Sequence, residues 1–282
     1  MDIKKKLYRF TEKLIGGHGI GNLPIIQNLN AKVIAHLKEE YTIVDGHKMF
    51  LDKNDSLLLS INKTYEQNET NFIKNSINRG DIVIYIGANI GYYTLLFARL
   101  VGDTGKVYSF EPDPRNFLLL EKNVQINNYS NVLLEKKAVS NKSQKSQLYM
   151  TEFTPVSSMH KGNSSIIDEI DIDVVTLDDY FKINPIRPDF IKIDIEGYEL
   201  NALKGMKSIL QSSDKTKIMI EYNPLTKKVF NSDPMDSLTF LDELGYKFKD
   251  LNSNIPMFFN LNQVIKKYQN TKKVTNFICI KK

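Results

Sequence analysis

Ile82-Val83-Ile84-Tyr85-Ile86-Gly87-Ala88-Asn89-Ile90-Gly91, continued by Tyr92 to Val101 and Lys106 to Glu111, is the stretch that decides the fold. Its opening is a run of β-branched aliphatic residues interrupted by one tyrosine, suited to a strand buried on both faces. Gly87 and Gly91 bracket a turn, Tyr92 to Val101 reads as a helix, and Lys106 to Phe110 reads as a second strand that ends on Glu111. Together they form one βαβ unit. A helix that starts after a glycine turn presents free N–H groups to a negative ligand group. A carboxylate at the end of the second strand can accept both hydroxyls of a ribose. The unit therefore predicts an adenosyl cofactor.

The turn narrows the choice of cofactor. It lacks the middle glycine that lets backbone approach a pyrophosphate. That disfavours an NAD-dependent oxidoreductase. S-adenosylmethionine has no phosphate, and its smaller carboxylate suits the looser turn.

Outward from this unit, strands and helices alternate. Asp113-Pro114 is a helix start, with the aspartate as cap and proline in the first position. Asn127-Asn128 ends that helix. Val132 to Leu134, Gln147 to Met150, Asp171 to Leu177, Phe190 to Ile195 and Lys217 to Tyr222 read as further strands, and Glu199 to Leu210 as one helix. Asp233-Pro234 opens a helix that stops before Gly245. Tyr246 to Leu251 and Thr275 to Ile280 then follow as two strands with no helix expected between them. The polar segment Thr151 to Ser165 is a candidate lid. Before the main pattern, Leu7, Phe10 and Leu14 have helical spacing, and Asp45-Gly46 signals a hairpin. The expectation is an α/β, Rossmann-like doubly wound sheet with an antiparallel final hairpin and a small N-terminal α/β cap.

Composition sets the bounds. The chain has 282 residues, 41% hydrophobic, with a net charge of +5. That is enough apolar content for a packed core. No apolar run approaches the roughly 18–20 residues that span a bilayer. The single cysteine, Cys279, excludes an internal disulfide and favours a cytoplasmic location. The lysines are scattered, without the interleaved aromatics of a nucleic-acid surface, so no nucleic-acid partner is expected. The basic start, Lys4 to Lys6, admits a peripheral contact with anionic lipid or glycolipid at the inner membrane face.

Several motifs in order carry a resemblance. They are Ile86-Gly87-Ala88-Asn89-Ile90-Gly91-Tyr92-Tyr93-Thr94, Phe110-Glu111-Pro112, Thr176-Leu177-Asp178-Asp179-Tyr180, Asp189 to Glu199 (Asp-Phe-Ile-Lys-Ile-Asp-Ile-Glu-Gly-Tyr-Glu), and Ile220-Glu221. In that sequence they resemble the FkbM family of methyltransferases. The resemblance implies methyl transfer from S-adenosylmethionine, often to a sugar or polyketide hydroxyl, with a small-molecule or glycan acceptor as partner. The resemblance covers roughly residues 45 to 225; residues 1–70 depart from the core pattern and read as an N-terminal helix and hairpin cap, with the methyltransferase domain over 71–282. Gly87, Ala88, Asn89, Gly91, Glu111, Pro112 and Ala138 then fall at the cofactor. The family pattern carries an aspartate two residues before the first glycine, where this chain has Tyr85. Three readings of Tyr85 stay open: a tolerated hydroxyl, a disabled cofactor site in a non-catalytic binding module, or a ring that meets the sulfonium.

The carboxylates at the later strand ends carry the chemistry. Asp194 and Glu196 lie where α/β sheets place their ligands. Like charges gathered there raise one another's pKa, and a raised carboxylate can take a proton from an acceptor hydroxyl. Glu221 ends the next strand and joins them as a candidate. His160, in the lid segment, is a further candidate base. Glu199 has a plainer reading, as the acidic first residue of a helix. Glu66 and Glu69 either line the acceptor side or cap a helix. Asp194, Glu196 and Glu221 are oxygen ligands that could hold a divalent metal, but no histidine has ligand spacing with them, and a metal is not favoured.

Overall fold

The protein is described from a computed structural model that covers residues 40–151, 159, 166–253 and 257–281. A hairpin opens the described chain. Its strands β1 (Tyr41–Val44) and β2 (His47–Phe50) pair antiparallel around Asp45-Gly46, both at positive φ. Two short helices follow, α1 (Leu59–Asn62) and α2 (Gln67–Ser76).

The main pattern then begins. It runs β3 (Ile82–Ile86), α3 (Tyr92–Val101), β4 (Lys106–Phe110), α4 (Pro114–Ile126) and β5 (Val132–Glu135). Next come β6 (Ala138–Val139), β7 (Gln144–Thr151), β8 (Ile166–Val175), α5 (Leu177–Tyr180) and β9 (Phe190–Ile193). The rest is α6 (Glu199–Lys204), α7 (Lys207–Ser212), β10 (Lys217–Tyr222), α8 (Thr226–Phe230), α9 (Pro234–Glu243), β11 (Tyr246–Asp250), α10 (Leu261–Tyr268) and β12 (Thr275–Lys281).

Seven strands form one sheet in the order β11-β12-β10-β9-β3-β4-β5. The run from β10 to β5 is parallel, and β12 enters antiparallel between β10 and β11. This is a Rossmann-like, doubly wound arrangement with an antiparallel finish. Each central strand divides its side chains between two cores, as its period of two requires. Ile84, Ile86, Ile191, Ile193, Ile218 and Ile220 pack on one face with α6, α7 and α9. Val83, Tyr85, Phe190 and Met219 pack on the other with α3.

Three expectations are corrected. A helix, α10, does separate β11 from β12, and its capping box of Asn260 and Gln263 is a sequence signal that two strands alone concealed. The helix expected over Glu199 to Leu210 breaks at Gly205, where the backbone comes so close to the Ser140 carbonyl that a Cβ would overlap it. The new start is satisfied by Asp178, whose carboxylate accepts from the N–H groups of Ser208 and Ile209 at 3.0 and 3.1 Å. The strands expected at Gln147 and at Asp171 lie outside the main sheet, as β7 and β8 of a three-stranded sheet ordered β6-β8-β7, and Leu177 begins α5 rather than ending a strand. Of the candidate lid, residues 152–158 and 160–165 lie outside the described residues, as do residues 1–39 with Leu7, Phe10 and Leu14. Among the described residues, no helix is long and apolar enough to cross a membrane.

The hairpin is tied to α4 by side-chain amides. Asn123 accepts from the Phe50 N–H at 2.7 Å, and Asn127 accepts from the Lys48 N–H at 3.0 Å. His47 adds a 2.6 Å hydrogen bond to the Tyr129 hydroxyl. Burial, reinforced by the Arg99 charge, pushes the His47 pKa down from 6.5 to about 4. A depressed histidine contributes stability that is present above pH 6.5 and lost as the pH falls toward about 4. Between pH 6.5 and about 4 the denaturant midpoint of wild type should therefore fall relative to that of His47→Gln, which has no ring to protonate. Parallel curves would remove His47 from the acid response.

Candidate active site

The site is a cavity at the carboxyl ends of β3, β4 and β9, where the strand order reverses direction. Its floor is the turn after β3. Gly87 has φ +87°, and a Cβ there would overlap the carbonyl oxygen of Asp194 on the adjoining segment. Ala88 and Asn89 continue the turn and line the cavity. The Asn89 amide oxygen accepts from the Ile90 N–H at 2.8 Å, which fixes the turn locally. Gly91, at φ +97°, is the cap of α3, and a Cβ there would press on Leu120. It serves helix packing and is not among the cavity-lining residues described.

Glu111 stands at the end of β4 with 6% exposure. One carboxylate oxygen accepts from the Asn89 N–H at 2.7 Å and the other from the Asp113 N–H at 3.0 Å. Burial raises its pKa to about 7 against the pull of those donors. Donors that favour the charged form would offset this, and a pair of ligand hydroxyls is such a set. Beyond Glu111 the cavity is lined by Phe110, Pro112, Asn116, Lys137, Ala138, Val139 and Leu148. Such a slot suits a flat, largely apolar ring.

The opposite end is different in character. Tyr65, Tyr85, Tyr92 and Tyr93 line it, packed edge to face. Asp194 and Glu196 form its wall, with Ser56, Leu57 and Tyr198 beside them. Glu196 has φ +47° and is followed by Gly197 at φ +88°, so the chain leaves β9 through a tight left-handed turn. Burial, then the charges of Asp194 and Glu199, raise the Glu196 pKa to about 7. Glu221 lies behind the wall on β10. Its pKa is pushed well up by burial and by Asp194 and Glu196, and its Oε2 is buried with no hydrogen-bond partner among the described residues.

Glu199 accepts from the Gly197 N–H at 3.0 Å as the first residue of α6. Glu66 caps α2 and accepts from the Tyr93 hydroxyl at 2.8 Å. Glu69 is buried beneath it, bonded to the side-chain amides of Asn252 and Asn276. His160 lies outside the described residues. Among the described residues, no group of three or more histidine, cysteine, aspartate or glutamate side chains is arranged to hold a metal ion.

Tyr85 is buried on β3 between Tyr93 and Phe97, and burial raises its pKa well above 10. It brings a ring and a hydroxyl to the cavity, and no charge at neutral pH. Two residues that the sequence reading passed over also belong here. One is Lys192, fully buried in β9, with Nζ 2.8 Å from Asp194 Oδ2. Its signal was a lysine set inside Phe190-Ile191-Ile193. The other is Tyr65, which reaches the cavity from the segment between α1 and α2; one tyrosine in a polar loop carries no pattern to find.

The profile described as "Methyltransferase FkbM domain" matches residues 86–248. A curated relative, "Hexuronic acid methyltransferase AglP" of Haloferax volcanii, is 26% identical over 148 residues. That alignment covers 52% of this chain and spans 59% of the relative's length. Among solved structures, a SAM-dependent O-methyltransferase from Thermotoga maritima is similar with a TM-score of 0.44 at 13% identity, covering 86% of this chain and 77% of that one. Precorrin-6y C5,15-methyltransferase from Geobacter metallireducens is similar with a TM-score of 0.44 at 16% identity, covering 78% and 90%.

The raised carboxylates have a stability signature. A glutamate raised from 4.5 to about 7 contributes stability that is fully present below pH 4.5 and lost as the pH rises through about 7. Glu196→Gln should melt close to wild type at low pH and above it once the pH exceeds about 7, with no ligand present. Thermal melts that track each other across this range would contradict the burial of a charge at position 196.

Proposed function

The chain belongs to the FkbM methyltransferase family, and from that premise we propose that it transfers the methyl group of S-adenosylmethionine to a hydroxyl of a saccharide or glycolipid. One observation carries this reading. A single cavity joins a ribose-type carboxylate and a glycine turn to a wall of aromatic rings and carboxylates. In this reading the adenine lies between Pro112, Ala138 and Leu148, Glu111 takes the ribose hydroxyls, and the methionine end passes over Gly87, Ala88 and Asn89 toward Tyr85. Sugar rings stack their C–H faces on aromatic side chains, and their hydroxyls donate to carboxylates. Tyr65, Tyr198 and Glu196 offer both contacts. A hexuronic acid methyltransferase among its relatives is consistent with such an acceptor.

Methyl transfer is an in-line displacement, so alignment of oxygen, methyl and sulfur supplies much of the rate. Asp194 stands at the wall where donor and acceptor meet, and Glu196 takes the acceptor proton, since a base poised near neutrality is the efficient one. Glu221 is a reserve carboxylate behind them. The O-methylation itself, the cap over residues 1–70 and an inner-membrane approach through the basic N-terminal segment all belong to this proposal.

Calorimetry with S-adenosylmethionine tests the donor site. Glu111→Gln should weaken binding by roughly 10- to 100-fold, the range for a hydrogen bond to a charged group. Wild-type affinity should rise as the pH passes about 7, because the ribose hydroxyls favour ionised Glu111. No measurable binding by wild type would favour the disabled module, with Tyr85 as the cause, and Tyr85→Asp would then restore it. With a methylated saccharide in hand, the rate should climb through about pH 7 and fall roughly 10²- to 10⁴-fold in Glu196→Gln.

A further inference from the structure

Lys192 is fully buried at the middle of β9, paired in register with Tyr85 on one side and Met219 on the other. The face it shares carries Val83, Tyr85, Phe190 and Met219, with the Ser109 hydroxyl on β4 and Glu221 at the end of β10. An ammonium taken out of water there costs several kcal/mol, and a methionine would fill the space without that penalty. Burial pulls its pKa down, yet the Asp194 and Glu66 charges more than reverse the effect, with Glu221 adding to them. Lys192 is therefore a cation. Its Nζ lies 4.7 Å from the Tyr93 ring centroid and 5.6 Å from that of Tyr85. It donates to Asp194 Oδ2 at 2.8 Å.

Asp194 is the residue this contact governs. It lines the cavity with 23% of its side chain exposed. Its backbone N–H donates to the Ile86 carbonyl at 3.1 Å, and its own carbonyl sits against Gly87. The carboxylate is thus beside the glycine turn. Tyr85 keeps its proton and brings no negative charge from β3.

We propose that Lys192 is a positioning residue: its buried ammonium fixes the Asp194 carboxylate at the cavity wall, where Asp194 receives the positively charged ammonium of the donor's methionine end. The proposal rests on the methyl-donor reading above. Lys192 touches neither donor nor acceptor; it acts through Asp194.

S-adenosylhomocysteine is the probe, since its sulfur is uncharged and does not sense the lysine's charge as the sulfonium would. Lys192→Met should bind it at least roughly tenfold more weakly near pH 7 and melt below wild type, because it leaves the Asp194 and Glu66 carboxylates without their counter-charge. Asp194→Asn should lose at least as much affinity and melt lower, because it leaves a buried ammonium without its partner. The double variant should recover the melting temperature and bind no worse than Asp194→Asn, as coupled residues do.

Binding by Lys192→Met at wild-type strength, or losses that simply add in the double variant, would overturn the proposal. If Lys192→Met does not fold, Lys192→Gln and Asp194→Asn carry the same comparison. A wild-type chain that binds no S-adenosylhomocysteine defeats the donor reading itself. A wild type that binds, beside variants that bind equally, defeats only the role of Lys192.

Discussion

The close approach between Gly87 and the Asp194 backbone is the constraint on which the site depends. β3 and β9 are neighbours in the sheet, but the chain leaves them toward opposite edges, so a crevice opens above their ends. For that crevice to be narrow, one strand end must come within contact of the other, and no side chain can stand between them. Gly87 meets this condition at a φ that other residues rarely adopt. Once the two ends touch, Glu111, the turn and the Asp194–Glu196 wall all face one cavity, although they come from separate parts of the chain.

Much of this was legible because local pattern and global fold agree along the chain. The apolar run before Gly87 could only be a strand buried on both faces, and Asp113-Pro114 and Asp233-Pro234 marked helix starts that the structure keeps, with each aspartate bonded to an N–H two residues on. What stayed hidden depends on contacts between distant segments. The break at Gly205 answers to Ser140, far back in the chain, and nothing in Glu199 to Leu210 announces it. The same holds for Tyr65, whose place at the cavity is set by packing on Tyr92 and Tyr93. Position 192 was visible as an oddity, but its meaning required the distance to Asp194.

The cavity's far end trades stability for chemistry. Glu66, Glu196 and Glu221 all carry pKa values raised by burial, so each charge formed there works against the folded state. A packed apolar wall would be more stable and would do nothing. One buried cation and a ring of tyrosines moderate the crowding without cancelling it. Such a cluster favours whatever positive group enters, which is the electrostatic complement of a sulfonium donor.

The position of β12 has a consequence for how the molecule is made. The strand is the last described element in sequence, yet it lies inside the sheet, between β10 and β11. During synthesis β11 leaves the ribosome first and, apart from its bridge between Phe248 and Phe259, has no partner to pair with until β12 follows. Until then the free edge of β10 exposes unpaired N–H and C=O groups beside an apolar core, the condition under which chains join edge to edge. The sheet therefore closes in one late step, made by β12 alone, and a nascent chain halted before Thr275 carries two strands open to the wrong partner.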